Sequence, residues 1–336
     1  MKILLTGGAG YIGSHTAVAL RLEGHSVVLF DNLANSQASV VEAMAQITGS
    51  PVPFVMGDIR DTAMLESVLV SQQIDAVIHF AGLKAVGESV QNPLDYYANN
   101  VQGTISLLQA MQACAIKTLV FSSSATVYGD PQYLPLDESH PTSATNPYGR
   151  TKLHIEQMLY DLTVSDPSWH VACLRYFNPV GAHESGLIGE NPNGIPNNLM
   201  PYVAQVAAGL RAELNVFAND YASPDGTGVR DYIHVMDLAE GHTAALRFLQ
   251  RESGWHAINL GTGTGYSVLD IVKAFESASG QAVPYRIAAR RSGDVAQCYA
   301  DPQKAAALLG WSAKRTLADM CASTWRFQQS SRNLAI

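Results

Sequence analysis

Tyr148 and Lys152 stand four residues apart in Pro147-Tyr148-Gly149-Arg150-Thr151-Lys152, behind a proline suited to the first turn of a helix. Residues at that spacing share one helix face, so phenol and ammonium point the same way. A free tyrosine has a pKa of about 10 and is no base at neutral pH. Bringing it there takes roughly 4 kcal/mol in favour of the phenolate, which a nearby ammonium and a cationic nicotinamide ring together supply. Such a base takes a proton from a hydroxyl as hydride leaves the same carbon. Upstream, 118–122 reads as a strand running into Ser122-Ser123-Ser124-Ala125-Thr126. Ligands of a parallel sheet sit at the carboxyl ends of its strands, so this serine cluster marks where a substrate lies.

A hydride needs an acceptor, and the N-terminus supplies its cradle. Lys2–Leu5 reads as a short buried strand and Thr6–Gly13 as a glycine turn. Ser14–Leu22 has helical spacing of apolar residues, and His25–Phe30 is a second strand closed by Asp31. Gly7, Gly10 and Gly13 follow G-x-x-G-x-x-G, a respacing of the dinucleotide fingerprint. One glycine makes the turn, one lets the backbone approach a pyrophosphate, and one lets helix and strand pack closely. The helix N-terminus offers free N–H groups and the positive end of its dipole. The Asp31 carboxylate suits two ribose hydroxyls and repels a 2′-phosphate, which favours NAD over NADP.

The other elements must hold these two groups together. Strand signals at 53–56, 75–80 and 169–176 alternate with helix signals at 61–71, 93–114 and 147–162. Alternation of this kind predicts an α/β fold, a doubly wound parallel sheet with helices on both faces. After Phe177 the texture changes. Residues 178–200 and 218–229 read as long loops, and later elements are shorter: helices near 236–250, 267–279, 302–309 and 317–328, and a strand at 256–259. This predicts a Rossmann-type domain over 1–177, rejoined by segments at roughly 230–260, and a smaller α/β substrate lobe over most of 178–336.

Composition limits the partners. The 336 residues are 47% hydrophobic and only 15% charged, enough for a full core and too apolar for long disorder. A formal charge of −8 argues against nucleic acid and acidic membranes, so an anionic substrate needs local arginines. Cys114, Cys173, Cys298 and Cys321 lack metal or disulfide spacing, and no metal site is expected. The apolar run after Lys2 breaks at Gly7, so neither a signal peptide nor a membrane span is expected, and the chain reads as cytoplasmic.

TGGAGYIG, SSSATVYG, the Tyr148/Lys152 pair, LRYFNPVGA (174–182), IPNNLMPY (195–202) and GVRDYIHVMDLA (228–239) resemble the UDP-glucose 4-epimerase family. That family belongs to the extended short-chain dehydrogenases/reductases, and the resemblance runs from Met1 to about Trp325. It implies an isomerase of carbohydrate and galactose metabolism that interconverts UDP-galactose and UDP-glucose through a transient 4-keto sugar, with NAD+ kept bound. Tyr148 is then the base, Ser124 hydrogen-bonds the reacting oxygen, and Lys152 holds a nicotinamide ribose hydroxyl. Tyr11, Ile12, Asp31, Asn32, Asn35, Ser36, Asp58, Ile59, Phe80, Ala81, Gly82, Lys84, Asn99, Ser122 and Phe177 fall at cofactor-contacting positions, beside the three glycines. Lys84, Ser124, Tyr148, Asn178, Asn198, Leu199, Asn215, Phe217, Arg230, Arg291 and Asp294 fall where UDP-sugars are held. Bidentate arginines suit a diphosphate.

The resemblance also implies that Cys298, four residues after Asp294, lines the wall near the hexose C2 substituent. Tyrosine stands there in epimerases restricted to simple hexoses, so the smaller cysteine predicts room for an acetamido group and activity on UDP-GalNAc and UDP-GlcNAc. Only one of Cys298 and Tyr299 can face the pocket of a strand. A homodimer is expected through the helices at 93–114 and 147–162, with Leu107, Leu108, Met111, Leu153 and Met158 as contacts. His15, His25 and His79 read as structural, and one of Arg290 and Arg291 reaches the phosphates. Two alternatives remain. A nucleotide-sugar dehydratase begins with the same oxidation but needs an acid beside Ser124, where Ala125 and Thr126 follow instead. A non-enzymatic NAD-sensing module would not need Tyr148, Lys152 and Ser124 together.

Overall fold

The computed structural model describes residues 1–192, 194, 196–290 and 294–333. A seven-stranded, fully parallel sheet runs in the order Gly254–Leu260, His170–Tyr176, Thr118–Ser124, Ala76–His79, Lys2–Thr6, Ser26–Asp31 and Phe54–Met56. This is a Rossmann-type fold. Strand order reverses between Lys2–Thr6 and Ala76–His79, which places a crevice at their carboxyl ends.

Both sheet faces are buried, so its strands read as apolar runs. Ile3, Leu5, Val27, Leu29, Ala76 and Ile78 pack on one face. Leu4, Val28, Phe30, Val77, Leu119 and Phe121 pack on the other. A separate core of Met200, Val203, Leu214, Val216, Ile271, Phe275 and Met320 holds the later segments together. Val229–His234 is the hub of a second sheet. It pairs with Gly265–Ser267, Gln297–Cys298 and Asn178–Val180. Leu214–Phe217 pairs with Tyr285–Ala288. The 178–200 stretch expected as loop contains the strand Asn178–Val180 and reaches the helix Leu199–Ala207.

The helix expected at 93–114 is built in three parts. Pro93–Tyr96 and Gly103–Ala113 are α-helical, and Tyr97–Gln102 between them is a π-helical turn. Such wide turns occur often at functional sites. This one carries Asn99 and Asn100, and the buried Asn100 amide holds Leu83 through both its backbone N–H (2.8 Å) and its carbonyl (3.0 Å).

Three of the expected dimer contacts are corrected. Leu107 and Met111 are 0% exposed within the sheet-facing core, so they cannot meet another chain. In apolar helix segments every third or fourth residue belongs to the core stripe. Leu153 packs inward against the cluster of Val127, Tyr128 and Phe177. Leu108 and Met158 remain at the surface, where they line a shallow groove with Ile105 and Leu162. No helix among the described residues is long and apolar enough to cross a membrane.

Candidate active site

The glycine turn is shaped for close approach. Gly7 has φ +69°, and a Cβ there would lie 2.6 Å from the Ala81 nitrogen. A Cβ on Gly13 would lie 2.4 Å from the Gly7 carbonyl oxygen, so only glycine lets helix Tyr11–Leu22 sit this near the turn. Gly10 caps that helix without a side-chain cap, and no acid occupies its first turn. Its leading N–H groups are therefore suited to an anion.

Asp31 ends its strand with a carboxylate held in place. It accepts from the Ala9 N–H (3.0 Å), the Leu33 N–H (2.8 Å) and the Ser36 hydroxyl (3.0 Å). Asn32 reaches Asp58 at 3.4 Å. Hydrogen bonds from Arg60 hold the Asp58 carboxyl at about 2, well below the usual range. Ile59 is buried beside it, and Asn35 is exposed on the loop after Asp31. These residues fit an NAD: a turn for the pyrophosphate, a carboxylate for a ribose and a polar edge beyond it.

At the strand tips the expected catalytic groups converge. Ser124 accepts from the Thr126 N–H (3.2 Å) and hydroxyl (3.0 Å). The same hydroxyl neighbours Tyr148 and favours the ionised form of its phenol. Lys152 donates to the Ser122 carbonyl at 2.6 Å and stands 4.8 Å over the Phe121 ring. Burial brings its pKa down to about 8, against the pull of Glu156. The sequence-based picture of Tyr148 changes in one respect. Burial pushes its pKa above the usual value, and the Ser124 hydrogen bond opposes this. Burial outweighs the Ser124 contact, so the chain's own groups leave the Tyr148 pKa above its ordinary value.

Phe80, Ala81, Gly82 and Lys84 follow Ala76–His79 into the same crevice. Phe80 stacks on His242 at 4.9 Å, and Phe177 is buried beside Val127 and Tyr128. Asn99 donates to Asn100 at 3.0 Å. His79 is a satisfied core residue between Thr6 (2.6 Å) and Thr104 (3.0 Å), and burial lowers its pKa to about 3. His15 is buried likewise, with its Nδ1 2.7 Å from the Tyr11 carbonyl. Tyr11 itself donates to the Gly181 carbonyl at 2.7 Å.

The substrate positions come from several later segments. Glu190 accepts from both Lys84 (3.2 Å) and Asn198 (2.5 Å), which joins the first half of the chain to the loop before Leu199. Asn178 is exposed at the start of its strand. Asn215 accepts from Arg286 at 2.7 Å, and Asn215 and Phe217 share the two-stranded sheet. Arg230 donates to the Val229 carbonyl and pairs in register with Cys298. Cys298 packs against the Phe177 cluster, whereas the ring of Tyr299 lies beside Gly265 on the opposite side. Burial pushes the Cys298 thiol up to about 11, so it is a small neutral group. Asp294 lies just after 291–293, and Arg291 falls outside the described residues. Arg290 is engaged by Asp220 at 2.8 Å and stacks 4.0 Å over Tyr221.

Sequence reasoning passed over Asn100, Glu190 and a buried network of Ser123, Glu156 and Arg175. A signal existed for the last. An arginine inside the apolar strand WHVACLRY needs a buried partner. Glu156 continues the four-residue spacing of Tyr148 and Lys152. Among the described residues no side-chain cluster is able to hold a metal ion.

Known proteins match this arrangement. A family model described as GDP-mannose 4,6 dehydratase matches residues 4–324. The UDP-glucose 4-epimerase of Bacillus subtilis is 60% identical over 333 residues, covering 99% of this chain and 98% of the relative. The human UDP-glucose 4-epimerase is 57% identical, covering 98% and 97%. A structure of the Stenotrophomonas maltophila enzyme with bound NAD and formylated UDP-arabinopyranose is 53% identical, with TM-score 0.98 and 99% of each chain covered. That of the Bifidobacterium longum enzyme, in complex with NAD+ and UDP, is 54% identical, with TM-score 0.96 and the same coverage. On these similarities, and on a site in which Ser124, Tyr148 and Lys152 meet beside the glycine turn, the chain belongs to the UDP-glucose 4-epimerase family of the extended short-chain dehydrogenases/reductases.

Proposed function

We propose that the protein interconverts UDP-galactose and UDP-glucose as an NAD-dependent 4-epimerase, with Tyr148 as the base that works on the sugar 4-hydroxyl. The convergence of Tyr148, Ser124 and Lys152 on one strand tip is the observation that carries this reading. NAD+, when bound, would supply a hydride acceptor and a positive charge. Ser124, beside Tyr148, favours the phenolate, because hydrogen bonds to a charged form stabilise it. With its hydroxyl oriented by Thr126, Ser124 also serves the reacting oxygen. Lys152, anchored at Ser122, would orient the nicotinamide ribose with its remaining donors. Tyr148 returns its proton once the 4-keto sugar has presented its other face. Arg230, with Arg291, holds the diphosphate, and Lys84 and Asn198 border the hexose. The strand tip offers no acid after Ser124, which favours epimerisation over dehydration. Supplying UDP-galactose without added cofactor tests this: UDP-glucose is expected, and a 4-keto-6-deoxy product or no product overturns it.

A second reading concerns the hexose wall. Cys298 faces the Phe177 cluster and Tyr299 turns away, which supports a pocket wide enough for N-acetylated sugars. The groove of Ile105, Leu108, Met158 and Leu162 supports a homodimer through the helices that border it, and a monomeric mass in light scattering sinks that expectation. Four unpaired cysteines agree with a reducing cytoplasm.

A further inference from the structure

Helix Pro147–Ser165 meets the tip of strand Thr118–Ser124 at three successive strand residues. Tyr148 meets Ser124, Lys152 meets the Ser122 carbonyl, and Glu156 meets Ser123. The first two contacts lie in the reaction crevice and the third lies behind it. Glu156 is 2% exposed, Ser123 1% and Arg175 3%. Ser123 and Arg175 are register partners on adjacent strands. Both bind the same carboxylate: the Ser123 hydroxyl at 2.5 Å, Arg175 Nε at 3.0 Å and Arg175 Nη2 at 2.7 Å. Arg175 is fixed in turn by Tyr128, to which it donates at 3.0 Å, and Tyr128 donates to Asn259 at 2.7 Å.

Stability alone does not account for such a cluster. Buried ion pairs contribute little over apolar residues of the same volume, because desolvation offsets their attraction. What they add is direction. Three donors at fixed angles admit one position of the carboxylate, whereas apolar contacts slide. A helix is stiff along its axis, with a rise of about 1.5 Å per residue, so fixing one residue fixes those one and two turns away.

We propose that Glu156 is a positioning residue of the reaction: clamped by Ser123 and Arg175 on two adjacent strands, it sets where helix Pro147–Ser165 holds Tyr148 and Lys152 against the strand tip. The role rests on the epimerase reading above, because it acts only through Tyr148 and Lys152. Misplacing reacting groups by about 1 Å costs up to about 100-fold in rate.

Two variants test it, each assayed beside the wild type for kcat, KM for UDP-galactose and bound NAD per chain. Glu156→Asp keeps the charge but shortens the arm by one methylene. It is expected to lower kcat by about 10- to 100-fold with KM and NAD content within about twofold of wild type. Ser123→Ala removes one donor and leaves the ion pair, with an expected loss of about threefold in kcat at the same KM. A folded Glu156→Asp protein with wild-type kcat overturns the proposal, as does a loss that tracks missing NAD or a raised KM. Should the aspartate variant fail to fold, Ser123→Ala decides, and an unchanged kcat there is fatal. A wild type silent toward UDP-galactose removes the epimerase reading itself and the proposal with it. An active wild type with unaltered variants removes only the proposal.

Discussion

The two halves of the site are held in different ways. Around the cofactor positions most fixing contacts are to backbone: Asp31 accepts from two N–H groups besides the Ser36 hydroxyl, Lys152 donates to a strand-tip carbonyl, and Gly13 packs directly on the Gly7 backbone. Around the sugar positions, side chains lean on one another. Lys84 and Asn198 share Glu190, and Asn215 rests on Arg286. Backbone contacts cannot be swapped by substitution, but side-chain contacts can. On the proposed function, the chemistry is thus placed on the half fixed mostly by backbone, and selectivity on the half that single residues can retune.

Four changes probe that difference, in falling order of effect. Tyr148→Phe is expected to lower turnover by at least about 100-fold while UDP-sugar still binds, since it removes an acid/base group without volume. Near-normal turnover would show the base to be elsewhere. Next, Gly13→Ala forces a methyl to within 2.4 Å of the Gly7 carbonyl oxygen. The strain of about 1–3 kcal/mol should appear as lost stability and lost NAD, read by thermal melting and by nucleotide released on denaturation. If the rigid half tolerates this change, the contrast drawn here collapses.

On the adaptable half, Cys298→Tyr should cut kcat/KM for UDP-GalNAc by about tenfold or more and leave UDP-galactose within about threefold, a ratio set by steric fit. Indifference of the wild type to UDP-GalNAc would break the reading of that wall. The smallest effect is on stability. Lys152 stands at about 8 in the folded chain, against about 10.4 when unfolded. Between those values the unfolded state binds more protons, so stability rises with pH there. Below pH 8 the full burial penalty applies. Lys152→Met should therefore melt higher than wild type at pH 7, by up to roughly 3 kcal/mol less the lost hydrogen bond. The gap should narrow as pH climbs from 8 toward 10.5, and a constant gap contradicts it.

What the sequence disclosed follows from the range of the interactions. The segment from Lys2 to Asp31 was legible because strand, turn, helix and acid follow one another within one short stretch. Tyr148 and Lys152 were legible because one helix face joins them. Strand Val229–His234 was not anticipated, since its three partners come from residues 178–180, 265–267 and 297–298. Leu107 and Met111 could not be assigned to core or surface from an apolar helix alone. Glu156 and Arg175 went unremarked because their pairing crosses from helix to strand. Helix Ser39–Thr48 went unread although Val40, Val41, Met44 and Ile47 recur at helical spacing and pack on the core.

One rung of the small sheet has a longer reach. Cys298 and Arg230 are register partners there, so the residues proposed for the hexose wall and for the diphosphate are spaced by backbone hydrogen bonds rather than by each other's side chains. Cysteine and tyrosine codons differ by a single base. One nucleotide change can therefore narrow or widen this wall without passing through an unfolded or phosphate-blind intermediate. If that wall is the one proposed above, broad and strict sugar diets lie a single mutation apart.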